Sequence, residues 1–306
     1  MKAVQITEID KIEIRDIPMP EPKEDEVLIK VAAVGVNPVD WKIASGALAQ
    51  LINQPLPLTL GWDVAGEVMQ SSNGFSKGDK VYAMKSIGQD GTLSEYCVVK
   101  ASFLSLAPSR LSLTEAAALP MVSLTCLQAL FVVGDLHHSQ RVLIQAGSGG
   151  IGSTAIQLAK AVGAYVIATT SEKNRDYVLG LGADEVIDYQ KEDIVEVLKN
   201  NPVDVVLESL WGQSQRDAIQ VIKKQGKLVS LSGLMPETLE DAEKAGVYTE
   251  FVFVQPNAEQ LKNIAELVDA QDLKVDVETQ YPFEEIDIAY KQSQQGRVRG
   301  KLVVTF

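Results

Sequence analysis

VLIQAGSGGIGSTAIQLAK, residues Val142 to Lys160, decides how this chain folds. Its opening Val142, Leu143 and Ile144 are apolar and partly β-branched, which suits a buried strand of a parallel sheet. Gly147, Gly149 and Gly152 follow at G-x-G-x-x-G spacing, and behind them Ile151, Ala155, Ile156, Leu158 and Ala159 recur at helical intervals. The stretch therefore reads as strand, tight turn and helix. In such a unit the first glycine permits the turn, the second lets a diphosphate approach the backbone, and the third lets the helix pack close to the strand. The helix start, with unpaired N–H groups and a partial positive charge, then faces the anion. Gly147, Ser148, Gly149, Gly150, Ile151 and Gly152 are accordingly the expected cradle of a dinucleotide.

Downstream, strand-like runs at 165–170, 185–189, 203–210 and 227–231 alternate with helical segments at 174–180, 194–200 and 213–224. Strands alternating with helices mean right-handed βαβ units and a doubly wound parallel sheet. The β-branched and aromatic run 249–254 would be the last strand of that sheet, and Asn257 caps a helix over 258–270. Upstream, residues 1 to about 115 are mostly β, with strand signals at 2–6, 12–17, 26–36 and 80–83 punctuated by Pro18, Pro20, Pro22, Gly74 and Gly78. Alanine-rich 114–119, an interruption at Pro120 and a helical run over 123–133 lead into the central stretch. The tail holds a strand near 275–277, a helix over 283–292 and a final strand over 301–306, which is expected to return to the first module. The class is thus α/β, with one domain from residues 1–115 and 272–306 and a second from residues 116–271.

With 306 residues, 46% apolar and 23% charged, the chain has the make-up of a soluble globular protein. A net charge of −13 argues against nucleic acid or an anionic membrane as partner. No opening segment combines a basic start with an apolar core and a cleavage site, and no apolar run reaches the roughly 18 residues of a membrane span, so a cytoplasmic protein is the simplest expectation. Cys97 and Cys126 stand alone, which signals neither a disulfide framework nor a thiolate zinc site. His137 and His138, the only histidines, lie in a polar turn, leaving no Ser/His/Asp arrangement for hydrolysis. Glu237, Glu240, Asp241 and Glu243 read as a solvated helix face.

Several stretches together resemble the medium-chain dehydrogenase/reductase superfamily, in its zinc-independent quinone oxidoreductase-like branch. They are GVNPVDWK at Gly35 to Lys42, GWDVAGEV at Gly61 to Val68, GDKVYA at Gly78 to Ala83, GTLSEY at Gly91 to Tyr96, AGSGGIG at Ala146 to Gly152, LGADEVIDY at Leu181 to Tyr189 and RVRGKLVVTF at Arg297 to Phe306. The resemblance implies a GroES-like β-rich catalytic module with a Rossmann domain inserted before its last strands. Zinc-dependent relatives hold a catalytic metal with Cys, His and Cys. The matching positions here are Asn37, Trp62 and, approximately, Met121, none of which is a zinc donor. The four-cysteine zinc lobe of those relatives is missing too, so no metal site is expected. Reduction of a quinone or an activated C=C then becomes the better reading than alcohol oxidation.

The cofactor's ribose is decided near the end of the second strand, where NAD-specific domains place an acid. Thr169 stands at that position, followed by Thr170, Ser171, Lys173 and Arg175, which suit a 2′-phosphate and hence NADPH. Glu172 dissents, and Lys173 and Arg175 also fit a plain solvated helix face. The resemblance places Tyr189 beside the same phosphate. It places Thr125, Gly233, Leu234 and Phe251 near the nicotinamide, and Lys301 at the diphosphate or merely at the start of the last strand. Asn37 would offer an amide N–H to a nascent enolate, or be a turn residue before Pro38. Lys42 is a cation on the same loop, and Asp40 more plausibly braces that loop. Trp41, Trp62 and Met121 would wall a flat apolar pocket for quinones, or be core. The expected reaction is hydride transfer to a small-molecule quinone or enone. The rival from another class is an NADPH-binding sensor with little turnover. A homodimer through the edge strand of the Rossmann sheet is the expected assembly.

Overall fold

The strand Arg141–Ile144 and the helix Gly150–Ala161 realise the central stretch. Consecutive Val142, Leu143 and Ile144 are all fully buried, so both faces of this strand are covered, as its unalternating apolar sequence requires. The structure, a computed structural model, describes the whole chain from Met1 to Phe306 and divides it into two compact units, Met1–Leu124 with Gln255–Phe306, and Thr125–Val254.

In the second unit a six-stranded sheet runs in the order Glu185–Asp188, Tyr165–Thr170, Arg141–Ile144, Val203–Glu208, Ile222–Ser230 and Tyr248–Phe251. All neighbours are parallel, and the order reverses direction beside the central strand. That is the doubly wound Rossmann topology, whose ligands lie outside the carboxyl ends of the strands at the point of reversal. Leu143, Ile167, Val206 and Leu228 form the sheet's contribution to a core that Ile219 and Ala242 close from the helices. The helix expected over 213–224 stops at Gln220. Buried Ile222 pairs instead with Val203, so Ile222–Lys224 open the next strand.

The first unit carries a seven-stranded sheet. Its path is Val277–Pro282, Lys301–Thr305, Glu26–Val36, Asp63–Val68, Lys80–Met84 and Leu104–Leu106, with Tyr96–Lys100 paired beside Glu26–Val36. A smaller sheet joins Lys11–Asp16, Lys2–Glu8 and Leu58–Thr59. Lys301–Thr305 pairs antiparallel with Glu26–Val36, with Leu302 opposite Val36, so the tail does return to the amino-terminal strands.

The boundaries fall inside those expected from the sequence. The helix Ala258–Asp269 belongs with the β-rich unit: the Tyr82 hydroxyl donates to Leu261 O, and the Asp269 carboxylate accepts the backbone N–H groups of Ser109 and Arg110. Pro120 opens the helix Pro120–Leu127 rather than interrupting one, since a first-turn position needs no N–H.

Candidate functional site

The glycine turn shows what each glycine is for. A Cβ on Gly152 would stand 2.3 Å from Ala146 O and 2.6 Å from Gly147 Cα, so helix and turn meet only because it is absent. A Cβ on Gly147 would meet the Ala168 methyl at 2.9 Å. On Gly149 it would meet nothing nearer than Ala146 O at 3.5 Å, so no protein group fills the space the second glycine leaves. Gly149 is also the N-cap of Gly150–Ala161 and supplies no side-chain cap, which leaves the first helical N–H groups for a ligand. The cradle thus fits a dinucleotide diphosphate. Thr169 braces it: Thr169 Oγ1 accepts the Ala146 N–H (3.1 Å) and Thr169 O accepts the Gly147 N–H (2.8 Å).

At the expected adenosine end, Asn174 Nδ2 donates to Ser148 Oγ at 3.1 Å and ties the glycine turn to the loop after the second strand. Thr170 is buried with an unpartnered Oγ1, while Lys173 and Tyr189 are exposed and Ser171 half-buried. Arg175 is not the free cation its sequence position suggests. Its Nε donates to Glu172 Oε1 (3.2 Å), its Nη1 donates to Val186 O (3.1 Å), and its Nη2 stands 3.7 Å from Glu192. Glu172, the dissenting acid, is also paired with Lys191 at 3.2 Å. The uncommitted cation at this strand end is therefore Lys173.

Gly233 and Leu234 follow the strand Ile222–Ser230, and Phe251 ends the edge strand with its ring exposed. All of them stand on the carboxyl edge of the same sheet as the glycine turn. Thr125 lies in the helix Pro120–Leu127 and is buried.

In the β-rich unit, Asn37 precedes the helix Pro38–Ala44, whose proline at the first position and Asp40 in the first turn fix its start. Asp40 Oδ2 accepts the Asn37 backbone N–H at 2.7 Å, the bracing expected of it. The Asn37 amide is not a free donor. Its Nδ2 donates to Asp63 Oδ2 (2.8 Å) and Gly35 O (3.2 Å), and its Oδ1 accepts from Lys301 Nζ (2.6 Å). Both amide hydrogens are consumed, so Asn37 positions its neighbours instead of meeting an enolate.

Lys301 opens the strand Lys301–Thr305, the second of the two places the sequence allowed it. Its buried Nζ donates to Val36 O (2.7 Å) as well as to Asn37, and lies 3.9 Å from Asp63 Oδ2. Asp63 in turn accepts the Met121 N–H on Oδ1 at 2.7 Å. Trp62 is fully buried with its indole N–H donated to Gln89 O, which makes it core rather than a pocket wall. Met121 is buried as well. Trp41 is half-buried, donates its indole N–H to Ser293 Oγ and carries the Lys42 ammonium 5.6 Å from its ring.

This cluster sits in low dielectric, and its titrations follow from that. Burial pushes the Asp40 carboxyl up to about 8, against the opposing Asn37 N–H, and leaves its Oδ1 without a partner. Burial raises Asp63 to about 6, opposed by Lys301 and Asn37, and pushes Lys301 below the usual lysine range. Asp40 keeping its proton at neutral pH leaves the Asp63–Lys301 pair balanced. The sequence showed Asn37 and Asp40 but not Asp63 or the role of Lys301, because their partners lie far apart along the chain. No three His, Cys, Asp or Glu side chains converge anywhere in a geometry for metal.

Comparison with known proteins agrees with this architecture. The alcohol dehydrogenase GroES-like domain family matches residues 23–109 and the zinc-binding dehydrogenase family residues 181–304. A chloroplastic quinone-oxidoreductase homolog from Spinacia oleracea is 32% identical over 309 residues, covering 96% of this chain and 94% of its own. A chloroplastic NADPH-dependent alkenal/one oxidoreductase from Arabidopsis thaliana is 34% identical, covering 94% of this chain and 74% of its own. The solved quinone oxidoreductase from Coxiella burnetii superposes with a TM-score of 0.93 at 32% identity, covering 100% of this chain and 99% of that one.

Proposed function

Because the chain belongs to the medium-chain dehydrogenase/reductase family, in its quinone oxidoreductase-like group, and is an NAD(P)H oxidoreductase, we propose that it is a zinc-independent, NADPH-dependent reductase of quinones or α,β-unsaturated carbonyls. The observation that carries the zinc-independent part is the fate of the metal positions. Asn37, Trp62 and Met121 offer no zinc donor, and their surroundings are knitted by Asp63 and Lys301 into a closed hydrogen-bond network. The relatives named for quinones and alkenals or alkenones support the substrate class, and the one named NADPH-dependent supports the cofactor.

Bound NADPH supplies the hydride. The glycine turn and the start of Gly150–Ala161 bind its diphosphate through N–H groups, and Ser171, Lys173 and Tyr189 take the 2′-phosphate. Thr125, Gly233, Leu234 and Phe251 are assigned to the nicotinamide end. Trp41 offers a flat apolar face to a quinone or enone. Lys42 lies in the last turn of the helix Pro38–Ala44 rather than on a loop, and it is the one proposed catalytic side chain left as a donor, since the Asn37 amide is committed. The proposal includes a homodimer through the edge strand Tyr248–Phe251, where Tyr248, Glu250 and Phe251 are exposed. No helix is long and apolar enough to cross a membrane, and neither membrane nor nucleic acid is a proposed partner. A cytoplasmic location is part of the same reading, which fractionation of source cells decides, since two of the relatives are named chloroplastic.

The test is steady-state oxidation of NADPH and NADH with a panel of quinones and enals, on protein assayed for zinc by elemental analysis. Turnover with NADPH at sub-stoichiometric zinc supports the proposal. Equimolar zinc overturns its metal-free part, and binding without turnover on every substrate favours the sensor.

A further inference from the structure

Glu208 ends the strand Val203–Glu208 with its side chain fully buried, and it has no basic partner. Donors from three segments converge on it. Its Oε1 accepts the backbone N–H groups of Leu210 and Trp211, each at 2.6 Å. Its Oε2 accepts from Gln215 Nε2 at 2.9 Å and Ser232 Oγ at 2.8 Å, with Ser230 Oγ at 2.6 Å. Gln215 Nε2 also reaches Gly233 O at 2.8 Å, and Gln215 Oε1 accepts the Met235 N–H at 3.0 Å. One acceptor-only group thus ties the turn after one strand to the loop after the next, through a buried residue of the intervening helix.

The turn it holds is strained. Trp211 has φ +60°, a conformation that bulky residues avoid, followed by Gly212 at φ +70°. The two N–H groups donated to Glu208 keep it there. The residue is nevertheless 47% exposed, and its six-membered ring lies beside Gly233, where a Cβ would come within 3.1 Å of it. Gly233 itself has φ +99°. A large aromatic residue held in the left-handed region, with its ring open to solvent on the carboxyl edge of the sheet, is poor core design and good site design.

Both segments belong to the second half of the doubly wound sheet. The glycine turn and the ribose-reading strand end belong to the first half, which takes the adenosine, so the second half takes the nicotinamide mononucleotide. We infer that Glu208 is a positioning residue that holds Trp211 and the Ser232–Gly233 loop in place, so that the Trp211 indole forms a wall over the nicotinamide half of the cofactor. This rests on the proposed cofactor and assigns two residues within its site.

The test separates the two halves of the ligand. Wild type, W211G and E208Q are titrated with NADPH and with 2′,5′-ADP, which lacks the nicotinamide, and bound fractions are read by calorimetry. Trp211→Gly keeps a residue comfortable at φ +60° and removes the exposed side chain without touching the Glu208 network, so it folds even where Glu208→Gln does not. The expected result is NADPH binding weakened tenfold or more in W211G, and in E208Q where it folds, with 2′,5′-ADP affinity within twofold of wild type. Equal weakening of both ligands, or no change in either, in W211G overturns the inference. Wild type that binds neither ligand overturns the cofactor proposal instead.

Discussion

Replacing Lys301 by Met removes the only cation of the buried Asn37–Asp63 network while keeping most of the side chain's volume. The ammonium's hydrogen bonds to Val36 O and Asn37 Oδ1 disappear, and Asp63 keeps the Asn37 amide and the Met121 N–H but loses its counter-charge 3.9 Å away. Taking one partner from a buried pair costs about 3–5 kcal/mol, because the remaining charge stays desolvated. In a unit of this size about 1 kcal/mol moves the melting temperature by roughly 2–4 °C, so K301M should melt roughly 6–20 °C below wild type. Much of that loss belongs to the stranded carboxylate rather than to the lost contacts. Asp63→Asn in the K301M background should therefore recover part of it, with a coupling energy of about 1–3 kcal/mol in the double-mutant cycle. Thermal melts by circular dichroism at pH 7 measure all four proteins. A K301M cost below about 1 kcal/mol, or a double mutant whose loss equals the sum of the singles, would refute the argument that this pair is buried and mutually dependent.

The glycines of the turn should separate stability from binding: G152A collides with backbone and costs about 1–3 kcal/mol, whereas G149A costs under about 1 kcal/mol as a change of N-cap yet weakens NADPH by tenfold or more. Melts and cofactor titrations on both variants check this, and equal stability losses would contradict it. Asp40 has a folded pKa near 8 against an ordinary 3.8, so the folded state binds the extra proton between those values. Its contribution is therefore fully present below pH 3.8 and lost as pH rises to about 8; Asp63, raised to about 6, adds in the same sense, while the lowered Lys301 contributes the opposite slope at higher pH. Melting temperatures taken from pH 5 to 8 should fall less steeply in D40N than in wild type, and identical slopes would remove Asp40 from the account. K173M should weaken NADPH three- to tenfold while leaving NADH unchanged, the modest effect of one exposed cation on a phosphate; comparable losses for both cofactors would mean that Lys173 reads no 2′-phosphate.

The doubly wound unit was readable from Val142–Lys160 because glycine spacing, an unalternating apolar strand and helical periodicity are local signals that agree with one another. The closing strand was readable because Lys301–Phe306 is strongly β-like and lies far along the chain from the helical units of the doubly wound sheet; it pairs antiparallel with Glu26–Val36 and parallel with Val277–Pro282, a parallel neighbour that no local signal announced. What local signals do not carry is partnership. Asn37 looked like a free amide because Lys301, which takes its oxygen, lies at the other end of the chain, and Arg175 looked like a free cation because Glu192 and the Val186 carbonyl arrive only on folding. Trp62 has the composition of a pocket wall and the burial of a core residue, a distinction that only packing makes. The helix Ala258–Asp269 was placed with the wrong unit because its periodicity shows a buried face without saying what covers it. Glu208 gave no signal at all: an acid after Val205, Val206 and Leu207 becomes a hub only when two loops fold back onto it.

The most direct measurement is a titration of wild-type protein with NADPH and, separately, NADH, followed by the fluorescence of the reduced nicotinamide. Saturable binding with NADPH tighter than NADH is the predicted result. Absence of saturable binding to either would contradict the reading of the glycine turn on which the rest is built.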